Sequence, residues 1–423
     1  MNVSRTSPPD RIPQIPLHTG NQVILLAFAF PPENISGAKR PFRFAKYLPQ
    51  HGYNVSVITA SGNGEGGSNI HTAPHVGDSS GVKHARTAAA FIQRWFMPYN
   101  DQLPWVPAAV ASAERILTGS QVAAVISTSP PVGAHMAAAY LQRRHGIKWI
   151  ADLRDPIHGN PWRNRRFSSV YNVGVERYLV THADAVIANT DIAADALRAR
   201  YPAFASKILL LWNGYDPDEI VSPRLLPGRN YVTLTHCGVI GGRRHPGQLI
   251  DAMERMITRG VLAPDRMKLQ LVGPLDVTDP WVGASAFHRL LERGCIEYTG
   301  QTVPETVART YMAEADYLLL IDAEAGIQLP AKIFDYVRIG RPILALSPST
   351  SPAVRILKQS GLLHTCIHPA DSPVNIETAL LAHLQLSREP RAPSAWFTET
   401  FAGSDQTAAL AKVLDSLLGC PQR

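Results

Sequence analysis

Patterns of buried strands and helices alternate along this sequence, and the alternation limits the folds that the chain can adopt. An apolar run at residues 23–30 is followed by a loop with Gly37, a helical pattern at 42–48 and a second strand pattern at 55–59. A strand, a helix and a further strand in this order form one unit of a parallel sheet, because the helix carries the chain back to the same edge. Further strands are predicted at residues 123–127, 148–152, 185–188 and 208–211, and helices at 108–117, 133–143 and 192–200.

A second series of the same kind begins after residues 217–229, a polar stretch that contains prolines. It opens with a strand at 231–237, a glycine loop at 238–242 and a helix near 248–257. The later strands of this series are predicted at residues 268–272, 296–298, 317–321 and 343–346. The sequence therefore predicts an α/β protein with two Rossmann-like, doubly wound parallel-sheet domains that face each other across an interdomain cleft.

The predicted domain boundaries follow from the two series. We expect an N-terminal domain over residues 21–222 and a C-terminal domain over residues 223–394. Residues 395–423 are expected to supply a C-terminal helix that packs back across the domains. Residues 1–20 are rich in proline and polar residues, which predicts a disordered tail, and they lack the apolar run of a signal peptide.

Composition and charge exclude several classes of protein. A chain of 423 residues with 45% hydrophobic content can form two apolar cores, so it is neither disordered nor fibrous, and no stretch approaches the length that spans a bilayer. The net charge of +7 attracts anions without specifying a partner, and without a zinc-finger or RNA-recognition signature we expect no nucleic-acid binding. Neither a zinc site nor a disulfide framework is indicated by the scattered cysteines, Cys237, Cys295, Cys366 and Cys420. Their scatter favours a reducing cytoplasm.

A helical pattern at residues 83–97 mixes aromatic and basic side chains. This mixture is compatible with shallow insertion into an anionic membrane surface. Core packing explains the aromatic residues as well and is the favoured interpretation. Peripheral contact with the inner face of the plasma membrane stays as the alternative.

A loop at residues 326–331 leads into a helical pattern that carries Lys332 and Asp335. The start of a helix favours anionic ligands, and residues three apart lie on one helix face. Lys332 can therefore neutralise a phosphate while Asp335 accepts hydrogen bonds from the two ribose hydroxyls of a nucleotide. A surface ion pair at a helix start is the alternative interpretation. Gln328 and Leu329, at the end of the loop, are included in this predicted nucleotide site.

The glycine loop of the second series offers a site for a diphosphate. Gly241, Gly242, Arg243 and Arg244 follow a strand and precede a helix, so that backbone amides and guanidinium groups can bind phosphate oxygens. The motif is shorter than a P-loop and lacks its Lys-Ser or Lys-Thr ending. A tight turn with solvated arginines is the equally weighted alternative.

Polar residues also follow strands of the first series. Gly37 permits close approach of the backbone to a ligand, and Arg40 lies at the start of the next helix. Asp155 can orient an acceptor hydroxyl and Arg154 can bind an anionic group, or the two form a buried structural bridge. His135, in an alanine-rich helix, is interpreted as a packed histidine rather than a base.

From residue 23 to residue 418 the chain resembles glycosyltransferases of the GT-B fold, and among them the retaining group called family 4. In the first half the resemblance rests on motifs at residues 30–32, 37–40, 45–48, 51–53, 55–59, 127–131, 152–156, 183–187 and 213–216. In the second half it rests on motifs at residues 236–238, 243–244, 271–273, 329–336 and 340–344.

The resemblance implies transfer of a sugar from a nucleotide diphosphate donor to an acceptor, with retained anomeric configuration and without a required metal or other cofactor. It implies that the donor binds mainly to the C-terminal domain and that the N-terminal domain binds a glycan or lipid-linked acceptor in polysaccharide or glycolipid assembly. The predicted catalytic residues are Asp155, Arg154, Arg244 and Lys332. The predicted substrate-binding residues are Gly37, Arg40, Ser129, Arg243, Arg244, Gln328, Leu329, Lys332 and Asp335.

The sequence departs from the family pattern at three places. Ile327 stands eight positions before Asp335, where the family often has a glutamate, and Asp322 and Glu324 are the nearby acids. Val239 stands where an arginine is common, and residues 127–129 replace a histidine. Two alternatives follow: a nucleotide-sugar epimerase of the same fold, and a non-catalytic scaffold subunit of a glycan assembly complex.

Overall fold

Two parallel β-sheets, one in each half of the chain, organise the part of the protein that the structure describes. The structure is a computed structural model that describes residues 21–32, 36–60, 69–74, 102–160, 168–224, 226, 228–242, 244–322 and 329–420. The predicted tail at residues 1–20, the helical pattern at 83–97, Arg243 and Gln328 lie outside these residues. The chain divides into two compact units, Met1–Asn213 with Gly403–Arg423, and Gly214–Ala402.

The first unit contains a seven-stranded sheet with the order β3-β2-β1-β4-β5-β6-β7. Its strands are β1 (Asn21–Ala27), β2 (Tyr53–Thr59), β3 (Ile70–Thr72), β4 (Val122–Ser129), β5 (Lys148–Leu153), β6 (Ala185–Ala188) and β7 (Ile208–Leu210). Its helices include α1 (Ser36–Tyr47), α2 (Val106–Gly119), α3 (Gly133–His145), α4 (Ser168–His182) and α5 (Asp191–Arg200). The strand order reverses between β1 and β4, so ligands are expected near the carboxyl ends of these two strands.

The second unit contains a six-stranded sheet with the order β10-β9-β8-β11-β12-β13. Its strands are β8 (Val232–Cys237), β9 (Met267–Pro274), β10 (Ile296–Gly300), β11 (Tyr317–Ile321), β12 (Ile343–Leu346) and β13 (His364–Ile367). Its helices include α6 (Gly247–Thr258), α7 (Ser285–Glu292), α8 (Glu305–Glu314), α9 (Lys332–Ile339), α10 (Pro352–Gln359), α11 (Pro373–Leu384) and α12 (Ala395–Phe401). The order reverses between β8 and β11, which places the corresponding ligand position at their carboxyl ends.

Central strands are buried along most of their length, as expected for parallel sheets covered by helices. All five residues of β11 are buried, as are the last five residues of β1. Such strands appear in the sequence as continuous apolar runs, which is why they were predictable. The strands β3 and β13 were not predicted, because they are short, lie at the sheet edges and are mostly half-buried.

The end of the described chain forms two helices. α12 belongs to the second unit, and α13 (Gly403–Leu418) belongs to the first. α13 packs on α1, and its residues Leu410 and Leu414 are fully buried with the strands of the first sheet. The Tyr53 hydroxyl donates a hydrogen bond to Asp415 Oδ1 at 2.6 Å.

The predicted α/β class, with two Rossmann-like parallel-sheet domains, is confirmed. None of the helices in the described ranges is long and apolar enough to cross a membrane.

Candidate functional site

The carboxyl ends of β8 and β11 carry the predicted nucleotide-binding residues of the second unit. β8 ends at Cys237, directly before Gly238, and α9 begins with Lys332 after the loop that follows β11. Because β8 and β11 are neighbours at the point where the strand order reverses, side chains that follow them meet at one edge of the sheet.

Lys332 and Asp335 form an ion pair in the first turn of α9. Lys332 Nζ lies 3.6 Å from Asp335 Oδ2, and the two side chains are 32% and 13% exposed. The pair therefore matches the alternative interpretation of the sequence, an ion pair at a helix start. A long, partly exposed contact of this kind contributes little to stability, so both groups remain suited to bind a ligand.

A buried tyrosine fixes this helix turn against the end of β8. The Tyr336 hydroxyl accepts a hydrogen bond from the backbone N–H of Cys237 at 2.8 Å. Burial raises the pKa of Tyr336 well above its usual value, so the hydroxyl stays neutral. Since Tyr336 follows Asp335 directly, this bond sets the position of the carboxylate relative to β8.

The backbone amides of the glycine loop do not match the prediction from sequence, in which they bind phosphate oxygens. Gly241 N–H donates to Arg244 O at 2.9 Å, Arg244 N–H donates to Gly241 O at 3.1 Å, and Gly242 N–H donates to Asp279 Oδ2 at 2.8 Å. The described amides of this loop are thus used within the protein and are not left for phosphate oxygens. The predicted phosphate contact of this turn therefore depends on the guanidinium group of Arg244.

The amides at the start of α9 are similarly engaged. Ile333 N–H donates to Pro330 O at 3.1 Å, and Phe334 N–H donates to Ala331 O at 3.3 Å. Leu329, another predicted contact, is half-buried just before this turn. Side chains rather than these two amides are therefore the groups with which this helix start can bind a ligand.

The buried imidazole of His236 is influenced by two cations of the predicted site, Arg244 and Lys332. Its Nδ1 lies 2.9 Å from Leu319 O on β11, and its side chain is 5% exposed. The pKa of His236 is lowered to about 4, mainly by burial; the hydrogen bond to Leu319 opposes this shift, and the positive charges of Arg244 and Lys332 contribute to it. Both cations must lie near the same ring to have this effect. The structure therefore places Lys332 in contact with Asp335, and Arg244 within electrostatic range of the same buried imidazole as Lys332.

In the first unit, Arg154 holds together the loops at the end of the sheet. Its Nε donates to Ser129 O at 2.7 Å, its Nη2 donates to Pro130 O at 2.8 Å, and its Nη1 donates to Gly37 O. A Cβ atom at Gly37 would lie 2.9 Å from Arg154 Nη1. The space beside Gly37 therefore holds the guanidinium group, and this use differs from the ligand approach that the sequence suggested.

Arg154 also lies close to charged groups. Burial lowers the pKa of Arg154, and the carboxylates of Asp155 and Asp152 oppose this shift. A guanidinium that donates to three backbone carbonyls positions loops, so the buried structural alternative describes Arg154 better than a direct catalytic role does. Asp155 is half-buried beside it.

Arg40 is a structural residue in this fold. It is 2% exposed, and four of its five N–H donors are used: they reach both oxygens of Asp152, Leu211 O and Trp212 O. This arrangement differs from the substrate contact predicted for Arg40. The side chain of Ser129, also predicted to contact substrate, is 3% exposed, and its backbone carbonyl accepts from Arg154.

His135 is packed, as its interpretation from sequence requires. It is fully buried, and burial lowers its pKa to about 3. Trp149 Nε1 donates to Ser127 Oγ at 2.7 Å, and Ser127 Oγ lies 2.7 Å from His135 Nδ1. Ser127 Oγ also lies 3.5 Å from Ile150 O, so its hydroxyl joins the indole and the imidazole to the neighbouring strand.

Two residues of the site were not singled out from sequence. His236 stood in a recognised motif without a role, and Tyr336 was only part of the helix. Their positions at a strand end and in a first helix turn were visible, but their contacts join distant segments. In the ranges covered by the structure, no group of three or more His, Cys, Asp or Glu side chains is arranged to hold a metal ion.

Comparison with known proteins agrees with this architecture. Residues 38–214 match the family model described as the glycosyl transferase 4-like domain. No curated protein sequence matches the chain.

Solved structures resemble the chain over nearly its whole length. Sucrose-phosphate synthase from Thermosynechococcus elongatus is 12% identical, with a TM-score of 0.65 over 95% of this chain and 100% of that one. HepE from Anabaena, in complex with UDP and glucose, is 14% identical, with a TM-score of 0.60 over 94% and 100%. WaaG, a glycosyltransferase involved in lipopolysaccharide biosynthesis, is 16% identical, with a TM-score of 0.52 over 94% and 97%.

The fold predicted from the sequence motifs is thereby confirmed. Residues 38–214 match a glycosyl transferase 4-like domain, in agreement with the motifs of the first half, and the chain has the GT-B fold.

Proposed function

We propose that this glycosyltransferase moves a sugar from a nucleoside diphosphate sugar to a hydroxyl of a glycan or lipid-linked acceptor, with retention of anomeric configuration, in polysaccharide or glycolipid assembly. One observation carries the proposal. Arg244 and Lys332 act on one buried imidazole, and Lys332 lies 3.6 Å from Asp335. Two cations near one imidazole, one of them paired with a carboxylate, match a diphosphate that is joined to a pentose.

The three side chains have separate roles in the proposed reaction. The bond between the sugar and the diphosphate breaks, and negative charge builds up on the departing diphosphate. Lys332 and Arg244 stabilise this charge, which is the most effective way for fixed cations to lower such a barrier. Asp335 accepts hydrogen bonds from the ribose hydroxyls and holds the donor in place. The proposal includes no metal ion.

The first unit supplies the acceptor side in this proposal. Arg154 ties the loop after β4 to the start of α1, and it thereby shapes the carboxyl ends of the central strands. Asp155, half-buried beside Arg154, is the group proposed to orient the acceptor hydroxyl. Two structures of similar fold support the wider setting: HepE was crystallised in complex with UDP and glucose, and WaaG is involved in lipopolysaccharide biosynthesis. The proposal places the enzyme in the cytoplasm, with contact at the inner face of the plasma membrane if the acceptor is lipid-linked.

A panel of donors tests the proposal. The protein is incubated with UDP-, GDP-, ADP- and dTDP-sugars, and donor binding is measured by thermal shift and donor cleavage by release of nucleoside diphosphate. We expect one base to be preferred and Lys332→Gln to bind that donor about tenfold or more weakly, because a charge-assisted hydrogen bond is lost. Lys358→Gln is the matched control, since Lys358 is exposed on α10 in the same unit.

The outcomes separate the proposal from its rivals. Absence of binding to every donor would contradict it, and so would equal binding by Lys332→Gln and Lys358→Gln. Conversion of the donor sugar into an isomer without any acceptor would indicate an epimerase. Once an acceptor is found, NMR of the product reports whether the anomeric configuration is retained.

A further inference from the structure

The imidazole of His236 uses only one of its two ring nitrogens within the protein. Nδ1 lies 2.9 Å from the carbonyl oxygen of Leu319, and a carbonyl can only accept, so Nδ1 carries the proton. Since burial holds the pKa at about 4, the ring is neutral near pH 7 and Nε2 has a free lone pair. Nε2 has no hydrogen-bond partner in the described part of the chain, although the side chain is 5% exposed.

An unpaired acceptor in this position is costly. A buried polar atom without a partner costs about 1–3 kcal/mol, and such atoms in native proteins are commonly paired by a ligand or water. The cost makes Nε2 a candidate for a ligand contact, provided that a ligand can reach it.

Gly238 leaves space directly beside the buried Nε2. A Cβ atom at Gly238 would lie 3.2 Å from His236 Nε2, so any side chain there would cover this nitrogen. Gly238 does not have a positive φ angle, and its backbone conformation therefore does not require glycine. Glycine at this position therefore matters for the space beside Nε2 and not for the backbone conformation of residue 238.

The surrounding charges define the ligand. Arg244 and Lys332 both act on the ring, which places Nε2 beside the proposed diphosphate position. Phosphate oxygens are acceptors, as is Nε2 of a neutral imidazole, so the two cannot share a hydrogen bond. A group that reaches Nε2 must donate, and in a nucleoside diphosphate sugar the abundant donors are hydroxyls of the pentose and of the transferred sugar.

We propose that His236 Nε2 accepts a hydrogen bond from a hydroxyl of the bound nucleoside diphosphate sugar and thereby orients the donor. The inference rests on the proposed function and adds a specificity contact to it. His236 binds a neutral part of the donor, whereas Arg244 and Lys332 bind the charged part.

Two variants and one control test the inference. His236→Phe removes the acceptor, and Gly238→Ala keeps His236 with its bond to Leu319 but covers Nε2 with a methyl group. His383→Phe is the matched control, because His383 is another fully buried histidine of the same unit with an unpaired Nε2 and a pKa lowered by burial to about 4.

Binding is measured by calorimetry at pH 7.5 with the tightest binder among UDP, GDP, ADP and dTDP, with its sugar conjugate, and with available 2′-deoxy and 3′-deoxy forms. We expect both test variants to bind the sugar conjugate about 5- to 10-fold more weakly than the wild type, which corresponds to one lost hydrogen bond. The control should bind as the wild type does. If the pentose supplies the hydroxyl, the variants lose affinity for the nucleoside diphosphate alone, and they lose none for the deoxy form that lacks this hydroxyl. If the transferred sugar supplies it, only the conjugate shows the loss.

Several results would overturn the inference. Unchanged affinity in Gly238→Ala would do so even if His236→Phe failed to fold, since Gly238→Ala keeps the histidine. Equal losses in His236→Phe and His383→Phe would indicate a structural effect. Binding of the wild type that strengthens towards pH 5, and does not in His236→Phe, would show that a protonated ring binds phosphate instead. If no nucleotide binds the wild type, the proposed function itself is refuted; if nucleotides bind and the variants match the wild type, only this inference is refuted.

Discussion

Replacement of Asp152 by alanine would remove the partner of a buried guanidinium group. Asp152 is fully buried at the end of β5, and Arg40 on α1 is 2% exposed. Arg40 Nη2 donates to Asp152 Oδ1 at 2.8 Å, and Arg40 Nε donates to Oδ2 at 3.0 Å. Thr128 Oγ1 donates to the same carboxylate at 2.8 Å. In Asp152→Ala the positive charge stays buried with two backbone carbonyls as its remaining acceptors.

The expected loss of stability is large for a single substitution. Removing one partner of a buried ion pair costs about 3–5 kcal/mol, because the remaining charge is desolvated without compensation. The double variant Arg40→Met/Asp152→Ala removes that charge. The loss of stability in the double variant should therefore be smaller than the sum of the losses in the two single variants, by about 2 kcal/mol or more, since residues in direct contact are energetically coupled.

Urea unfolding followed by tryptophan fluorescence measures these differences, because buried Trp149 lies on the same strand as Asp152. Asp195→Ala is the control: its partner is Arg198, the distance is 3.0 Å, and Asp195 is 75% exposed, so the change should stay within about 0.5 kcal/mol. If Asp152→Ala were no more destabilising than Asp195→Ala, or if the double variant showed simple additivity, the structural role given to Arg40 would be wrong.

Two further predictions concern the stability of the fold. The pKa of His135 is about 3 in the folded state and near 6.5 when unfolded, so the unfolded state binds the proton first and stability falls as the pH drops below 6.5. Between pH 8 and pH 5 this effect lowers the free energy of unfolding by about 2 kcal/mol. Urea titrations at the two pH values should show that acidification costs His135→Phe less stability than the wild type, by that amount. Gly273→Ala should destabilise by about 2 kcal/mol or more, since its φ is +136° and the new Cβ would lie 2.1 Å from Gly238 O. Gly294→Ala has φ +69° with no atom within 4 Å, and should cost about 1 kcal/mol; equal unfolding midpoints for the two alanine variants would contradict the proposed clash.

Local patterns predicted the central strands and the edge strands β7 and β10, but not the edge strands β3 and β13. β11 is buried at every residue, so five apolar positions in a row marked it as a strand between covering helices. β13 is half-buried over three of its four residues and has mixed polarity, which gives no period to recognise. Edge strands form because a neighbour offers hydrogen bonds, and that information lies elsewhere in the chain.

The site was predictable to a similar extent. Lys332 and Asp335 are three positions apart, and helical geometry alone places such residues on one face. The turn at Gly241 was also placed correctly between a strand and a helix, but the use of its amides was not. Gly242 N–H donates a hydrogen bond to Asp279, which lies 37 positions away, and no local motif predicts that contact.

By itself, the sequence determined the alternation of strands and helices, the two series, and the motifs that resemble those of GT-B glycosyltransferases, because each depends on residues within a few turns or one strand. Only the tertiary structure decided that Arg154 occupies the space beside Gly37, 117 positions away, and that His236 donates to Leu319, 83 positions away. These contacts set which nitrogen carries a proton and which glycine makes room for a side chain. Hydrogen bonding and burial act through space, so they follow from the packing of the sheets rather than from spacing along the chain.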